Sequence, residues 1–429
     1  MQALKAAAMR DSLESLEKLI KLIDGNLASH SELMLIFYHH LDPRKIPHPT
    51  RPAPNTLHIL KLASTALKGI SACVDAQHKS ENGALVADIE SHWPGKIWKW
   101  TQFLLVHCFS EPMLNTIDAK FRFNVYFITM GLLSALAEET GLRDTVGCTP
   151  GLIAIVTKLW IAEAKKGCEM MCFRASMVLE RFVSAPKPGW LNQIIAVAEN
   201  DPIVLAKTIL ERIRANLLEP GVRPTNYAAI FKDFLVAIGF SQAETPAVCH
   251  ALRSQHSIPT LTKAMLCLTS DRDAEVHHLT RMPDSFIGQC LMFCVIYLDM
   301  SFVDSEDGRT WIIQAIDAQL ITALLKSTRF FEHDDVLQQI CSRILGDVIP
   351  QYLAYRSVLR ATSRALKNIR RLGLEGRIPQ SGSFRDSWTT FNELASERLG
   401  IKAHYDKDPS HAICGNPQVS VPEICPTSH

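Results

Sequence analysis

Three groups of residues in this chain have types and spacings that could do chemistry. The first is the C-terminal pair Cys414 and Cys425, the former opening the tripeptide Cys414-Gly415-Asn416. A structural zinc site takes four Cys or His ligands, usually in closely spaced pairs. Cys414 has the setting of a first ligand, while Cys425 has no partner at ligand spacing. The second group is histidine: His39-His40, His277-His278 and Glu332-His333-Asp334-Asp335. Adjacent residues of a helix do not share a face, so neither His pair is expected to chelate one ion. The acidic run at 332–335 falls where a helix begins, and capping accounts for carboxylates there.

The third group is basic. Arg356, Arg360, Arg364, Lys367 and Arg371 recur at helical spacing, with Arg370 beside them, and no acid occurs between Asp347 and Glu375. Tyr355, Leu359, Thr362, Leu366 and Ile369 form the inward face of the same segment. A row of guanidinium groups suits forked contacts to carboxylate or phosphate. The stripe therefore reads either as a grip on an acidic protein or a nucleic-acid backbone, or as a solvated outer face. Farther on, Trp388, Phe391, Leu394 and Ala395 form an apolar stripe that must pack on the body or on a partner.

Catalytic signatures are missing. Pro94-Gly95-Lys96 lacks the preceding glycine of a phosphate-binding loop, and Gly373 and Gly376 lack a third glycine and a strand before them. Neither a His-Glu-x-x-His nor a Gly-x-Ser-x-Gly sequence occurs. No catalytic residue and no cofactor are expected.

The elements that must position these residues are helical. Leu13, Leu16, Ile20, Ile23 and Leu27 lie on one face, and Val336, Ile340, Ile344 and Val348 recur in steps of four. Similar patterns cover 56–76, 121–140, 150–166, 206–218, 227–240 and 285–299, and no alternating strand pattern is found. Gly167, Gly239 and Gly346 are expected at helix ends. The spacing predicts an all-α chain, an armadillo- or HEAT-like helical-repeat superhelix with pairs of about 40–47 residues. The expected divisions are a helical-repeat body over 1–375, a linker over 376–385, a tail helix over 386–405 and a disordered end over 406–429.

At 429 residues and 47% hydrophobic, the chain can bury a large core. Its net charge of +1 gives no global pull toward nucleic acid or membrane. Most of the twelve cysteines sit in apolar helical runs and read as small buried hydrophobes of a reducing compartment. Residues 124–137 and 285–298 are uncharged runs of fourteen residues each, short of the roughly 20 a membrane span needs. No secretory signal opens the chain, so a cytoplasmic or nuclear protein without membrane contact is expected.

The tail resembles that of a group of fungal proteins, especially of mushroom-forming fungi, that join a long divergent helical region to a C-terminal MYND-type zinc finger. The resemblance rests on Trp388, Phe391, Leu394-Ala395, Glu397-Arg398-Leu399, a short linker, and Cys414-Gly415-Asn416. In that group the finger opens Cys-x-Asn-x-x-Cys and recruits other proteins. Carried over by position, Cys414 is the first zinc ligand, while the second position holds Val419. The resemblance thus implies a finger that is truncated or lost, with zinc bound only in a longer form. The expected function is a non-enzymatic interaction scaffold for a protein or peptide. The alternative is a nucleic-acid-associated regulatory factor that uses the stripe at 356–371. Because zinc is held only by a nearly complete ligand set, elemental analysis of the purified chain should return well under one zinc per molecule; a stoichiometric ion would overturn this reading of Cys414.

Overall fold

The computed structural model describes residues 1–24, 30–51, 53–77, 83–107, 117–164, 174–184, 187, 189–217, 227–242, 246–270, 283–303 and 307–407. Every regular element among them is helical, so the chain is all-α. They divide into two compact units, Met1–Ser257 and Ile258–His429.

The first unit runs through α1 (Gln2–Met9), α2 (Leu13–Asp24), α3 (His30–His40), α4 (Thr56–Gln77), α5 (Gly83–His92) and α6 (Trp98–His107). It continues as α7 (Ala119–Glu138), α8 (Thr140–Gly147), α9 (Leu152–Glu163), α10 (Ala175–Val183), α11 (Trp190–Val197), α12 (Pro202–Leu217), α13 (Tyr227–Gln242) and α14 (Pro246–Ser254). Packing between these helices repeats. In one layer α2 packs on α4, α4 on α7, α7 on α10 and α10 on α13. From a second layer α3 packs on α4, α6 on α7, α9 on α10 and α12 on α13. The first-layer helices begin at residues 13, 56, 119, 175 and 227, so their starts lie 43, 63, 56 and 52 residues apart. The short helices α5, α8 and α11 lengthen the later steps, which is why no clean period is visible in the sequence.

Burial follows from position in the layers. α2 buries Leu16, Leu19, Ile20 and Ile23 on a single face. α7 is flanked by α4, α6, α8 and α10, and it buries Val125, Tyr126, Thr129, Met130, Leu132, Leu133, Leu136 and Ala137. A helix covered on most sides is apolar on most sides. Its start is set by Asp118, whose carboxylate accepts the Phe121 N–H at 2.6 Å. Between α5 and α6 the chain makes a π turn at Trp93–Ile97. Pro94 sits in that turn without an N–H to give.

The interior of this unit contains charge. On α12 the buried face runs Leu205, Ile209, Arg212, Asn216. Arg212 is fully buried. Its Nε donates to Asp233 Oδ1 and its Nη1 to Glu163 Oε2, each at 2.8 Å. Nη1 also donates to the Trp160 carbonyl at 3.1 Å, and Nη2 donates to Ser176 Oγ at 2.5 Å. The Tyr126 hydroxyl donates to Glu163 and the Ser176 hydroxyl to Asp233. Burial raises the pKa of both carboxyls above the ordinary carboxylate range, and Arg212 opposes that rise. Trp160 also helps hold Asp233 down, although its indole Nε1 and Asp233 Oδ2 do not reach hydrogen-bonding geometry. One guanidinium thus ties α7, α9, α10, α12 and α13 together.

After α15 (Ser257–Leu268), which spans the division, the second unit consists of α16 (Asp284–Val303), α17 (Gly308–Asp317), α18 (Leu320–Ser327), α19 (Asp335–Arg343), α20 (Ile349–Tyr352), α21 (Arg356–Arg371) and α22 (Ser383–Lys407). α16 packs on α17 and α19, and α22 packs on α19 and α21. The expected linker at 376–385 shortens to 378–382, because a 3-10 turn covers Leu374–Arg377 and α22 begins at Ser383. Val336 is 49% exposed and its neighbour Leu337 is buried; steps of four drift by 40° per step around a helix, so the expected face slips at that end. Gly239 lies near the end of α13 but not at its cap, Gly346 lies within a helical segment, and Gly167 lies outside the described residues. A Cβ on Gly239 would meet Val183 Cγ1 at 2.5 Å, and one on Gly346 would meet Ser387 Oγ at 2.8 Å. Close packing against α10 and α22 therefore explains both residues.

The expectation that no apolar run is long enough to span a membrane needs correction. By length and composition, Thr56–Ala76 and Asp284–Val303 are both long enough, and α8 with α9 would count as a third span bent by 88°. In each of the two single helices, 61% of the apolar window is buried within the protein. α16 runs on through Asp299 because that buried carboxylate pairs with Arg343.

Replacing Arg212 with Met leaves two buried carboxylates without their cation. We expect a loss of about 3–5 kcal/mol in denaturant unfolding, and recovery of most of it when Glu163 and Asp233 also become Leu. Sign follows from the raised pKa values: stability contributed by the protonated carboxyls is full below their unfolded pKa and falls as pH rises through the folded one. The Arg212→Met protein should therefore lose stability more steeply than wild type as pH rises above the ordinary carboxylate range; parallel pH profiles would sink this account.

Candidate functional site

The first unit carries a groove of about 1550 Å³. Its floor is the outer face of α4, where Lys61, Ser64, Thr65, Lys68, Ser71, Ala72 and Asp75 recur at helical spacing. α2 supplies one wall with Leu13, Ile20 and Ile23, and α7 the other with Phe121, Phe127 and Ile128. Gly131, Ser134 and Ala135 keep the α7 wall low, and Arg174 and Met177 close the end at α10. At 1.5 Å per residue, the stretch of α4 from Lys61 to Ala76 gives a trough about 22 Å long. The volume exceeds the roughly 300–1,000 Å³ of small-molecule sites.

Charge on the lining is uneven. Among the described residues, Lys21, Lys61 and Lys68 make no ion pair. Of the acids, Glu138 is held by Arg181 at 2.6 Å and Asp75 is already engaged, which leaves Glu17. The Arg174 guanidinium lies over the Phe127 ring, 3.4 Å from its centroid. Phe127 remains 40% exposed beneath that cation. These lining residues went unrecognised as a site in the sequence. Their one signal is a run of small and polar side chains at helical spacing on α4, a helix otherwise built for burial.

The basic stripe occupies one continuous helix, α21, as the spacing requires. Val358, Leu359, Ala361, Thr362, Leu366 and Ile369 face inward. Tyr355 does not: it is 45% exposed, precedes the first helical turn with extended backbone, and stacks on Arg309 at 5.3 Å. Arg356, Arg360, Arg364, Lys367, Arg370 and Arg371 are exposed. Several are already paired: Arg364 with Asp317 at 2.6 Å, Arg356 with Asp406, and Arg370 with Glu375 at 3.8 Å. Arg371 donates to Asn368 Oδ1 at 2.9 Å. Arg360 and Lys367 have no acidic partner among the described residues.

Trp388 and Phe391, named above as candidates to meet a partner, are 5% and 0% exposed. Phe384, Trp388, Phe391 and Ala395 form the buried face of α22, and Phe384 meets Phe331 edge-on at 5.1 Å. Their apolar surface is covered within the second unit, which takes them off the accessible surface. Cys414, Cys425 and the 408–429 segment lie outside the described residues, as do His277-His278. Among the described residues no group of three or more Cys, His, Asp or Glu is placed to hold a metal ion. Asp334 caps α19, accepting the Leu337 N–H at 2.9 Å. The buried Cys73, Cys290, Cys294 and Cys341 are free thiols whose pKa burial pushes up, in Cys73 to about 12.

His39 and His40 serve packing. His40 is buried, its Nε2–H donates to the Ala8 carbonyl at 3.0 Å, and Lys45 Nζ lies 3.2 Å from His39 Nε2. Burial, with Lys45 and His39 nearby, lowers the His40 pKa to about 4. Asp11, with Oδ1 3.5 Å from His40 Nδ1, opposes that shift.

Set against known proteins, the chain matches no family model, no curated protein and no solved structure.

Two outcomes follow. The His40 pKa is depressed from 6.5 to about 4, so stability it contributes is present above pH 6.5 and lost as pH falls toward 4. His40→Gln should flatten the decline in melting temperature across that window, and an unchanged slope would exclude His40 as its source. Replacing Arg360, Arg364 and Lys367 together with Gln should leave unfolding within about 0.5 kcal/mol of wild type; marked unfolding would mean that the face is covered.

Proposed function

We propose that the protein is a non-enzymatic helical-repeat interaction scaffold, armadillo- or HEAT-like in its first unit, that binds a segment of another protein. The observation that carries this reading is the groove along α2, α4, α7 and α10. The first-layer contacts recur from α2 to α13, as expected where stacked helix pairs build an extended surface. The relation to MYND-finger proteins belongs to the same proposal and rests on the residues from Trp388 to Asn416. So do a cytoplasmic or nuclear location and the absence of membrane contact, which the burial of α4 and α16 within the protein favours.

The nucleic-acid reading has less support. Backbone phosphates are neutralised by free cations, yet of the α21 stripe only Arg360 and Lys367 have no carboxylate or Asn368 partner among the described residues. None of the stripe residues lines the groove.

A peptide-display selection on the full chain tests the proposal. Enriched peptides should lose at least tenfold in affinity when Asn124→Trp fills the groove or Phe127→Ala removes its exposed aromatic. Equal binding to wild type and both variants would refute the reading. Duplex DNA binding at about 0.15 M salt that disappears when Arg360 and Lys367 become Gln would favour the alternative.

A further inference from the structure

We infer that the groove receives an acidic amphipathic helix of a partner protein; this rests on the scaffold reading above and narrows it to one chemistry. Size gives the first argument. A helix about 22 Å long and 10 Å across, some fifteen residues, occupies roughly 1,700 Å³, close to the 1550 Å³ of the groove. An extended strand of the same length would leave much of that space unfilled.

Distribution of the lining gives the second. Ser64, Ser71 and Ala72 on the floor, with Gly131 and Ala135 beside them, are short side chains that let a helix backbone approach. Apolar residues stand on both walls, with Phe127 offering its ring. An amphipathic helix lays its apolar stripe into such a trough and keeps its polar face at the rim.

Electrostatics identifies the polar face. Lys61 and Lys68 lie seven residues apart on one side of α4, and Lys21 faces them from α2. Among the described residues all three lack an ion-pair partner, whereas Glu138 is committed to Arg181 and Asp75 is already engaged. Arg174 closes one end, and its buried Nε has no hydrogen-bond partner among the described residues. Of the acids that line the groove only Glu17 has no partner among the described residues, so the uncompensated charge of the described lining is positive. Carboxylates spaced one or two turns apart along a docked helix would meet Lys61 and Lys68 in turn.

Two labelled peptides of about 16 residues test this on the full chain. They carry the same leucines at helical spacing, with glutamates on the polar face of one and lysines on that of the other. The acidic peptide should bind at least tenfold tighter, and the Lys61→Glu, Lys68→Glu double variant should reverse that order. If the variant's melting curve shifts, Lys61→Gln with Lys68→Gln should still abolish the preference. Equal binding of both peptides, or a preference unmoved by these substitutions, overturns the inference; if Asn124→Trp still displaces both, the scaffold reading survives it. Failure of both peptides to bind also overturns it, and the display selection then judges the scaffold separately. Sedimentation showing a dimer of the wild-type chain that Asn124→Trp dissociates would assign the groove to a second copy and overturn it too.

Discussion

The arrangement of the first unit depends on one buried cation. Arg212 carries five N–H donors that cannot lose their charge and cannot reach water. Their acceptors come from Glu163, Asp233, Ser176 and the Trp160 carbonyl, on three other helices, and Tyr126 secures Glu163 from a fourth. Sliding α9, α12 or α13 by a turn would leave a charge buried without its partner, and sliding α7 or α10 would remove a hydroxyl that holds one of those charges. Apolar packing tolerates substitutions of similar volume, whereas this network tolerates few. Buried ion clusters add little net stability, because desolvation offsets attraction. What this one supplies is register: it places α7 and α10 relative to α9, α12 and α13.

That register has a consequence at the surface. α7 is at once the host of Tyr126 and the wall of the groove, with Phe121, Phe127 and Ile128 on its outer side. α10 brings both Ser176 to the network and Met177 to the groove end. Adjacent residues on these helices, about 100° apart around the axis, thus serve different surroundings, one a charged core and the other an open trough.

The second unit is organised by apolar surface. α22 docks through Phe384, Trp388, Phe391 and Ala395, and Gly346 admits Ser387 at close range. Its charges are dealt with at the periphery, where Asp317, Asp406 and Glu375 answer three of the arginines of α21. Exposed pairs of this kind contribute little to stability, but they reduce what the stripe can offer a polyanion. The lysines at the groove differ because no described carboxylate pairs with them.

Periodicity in the sequence determined the local outcome: which segments are helical, the continuity of α21 and its inward face from Leu359 to Ile369, and the cap at Asp334. These depend on side-chain spacing and capping within a turn or two, which one stretch of chain contains. It left open whether the apolar stripe of Trp388 and Phe391 would meet the body or a partner, because a stripe shows that surface must be covered and not what covers it. It put Gly239 and Gly346 at helix ends, since close approach by Val183 or Ser387 is invisible along the chain. It ended an apolar run before Asp299, whose charge is answered by Arg343 from another helix. Above all it could not join Glu163, Arg212 and Asp233, each of which by itself looks like an ordinary surface charge. Only the tertiary structure decided that they meet, and that small residues of α4 and α7 lie side by side along a groove. Both facts are relations between distant segments, set by how helices stack and not by the preference of any one of them.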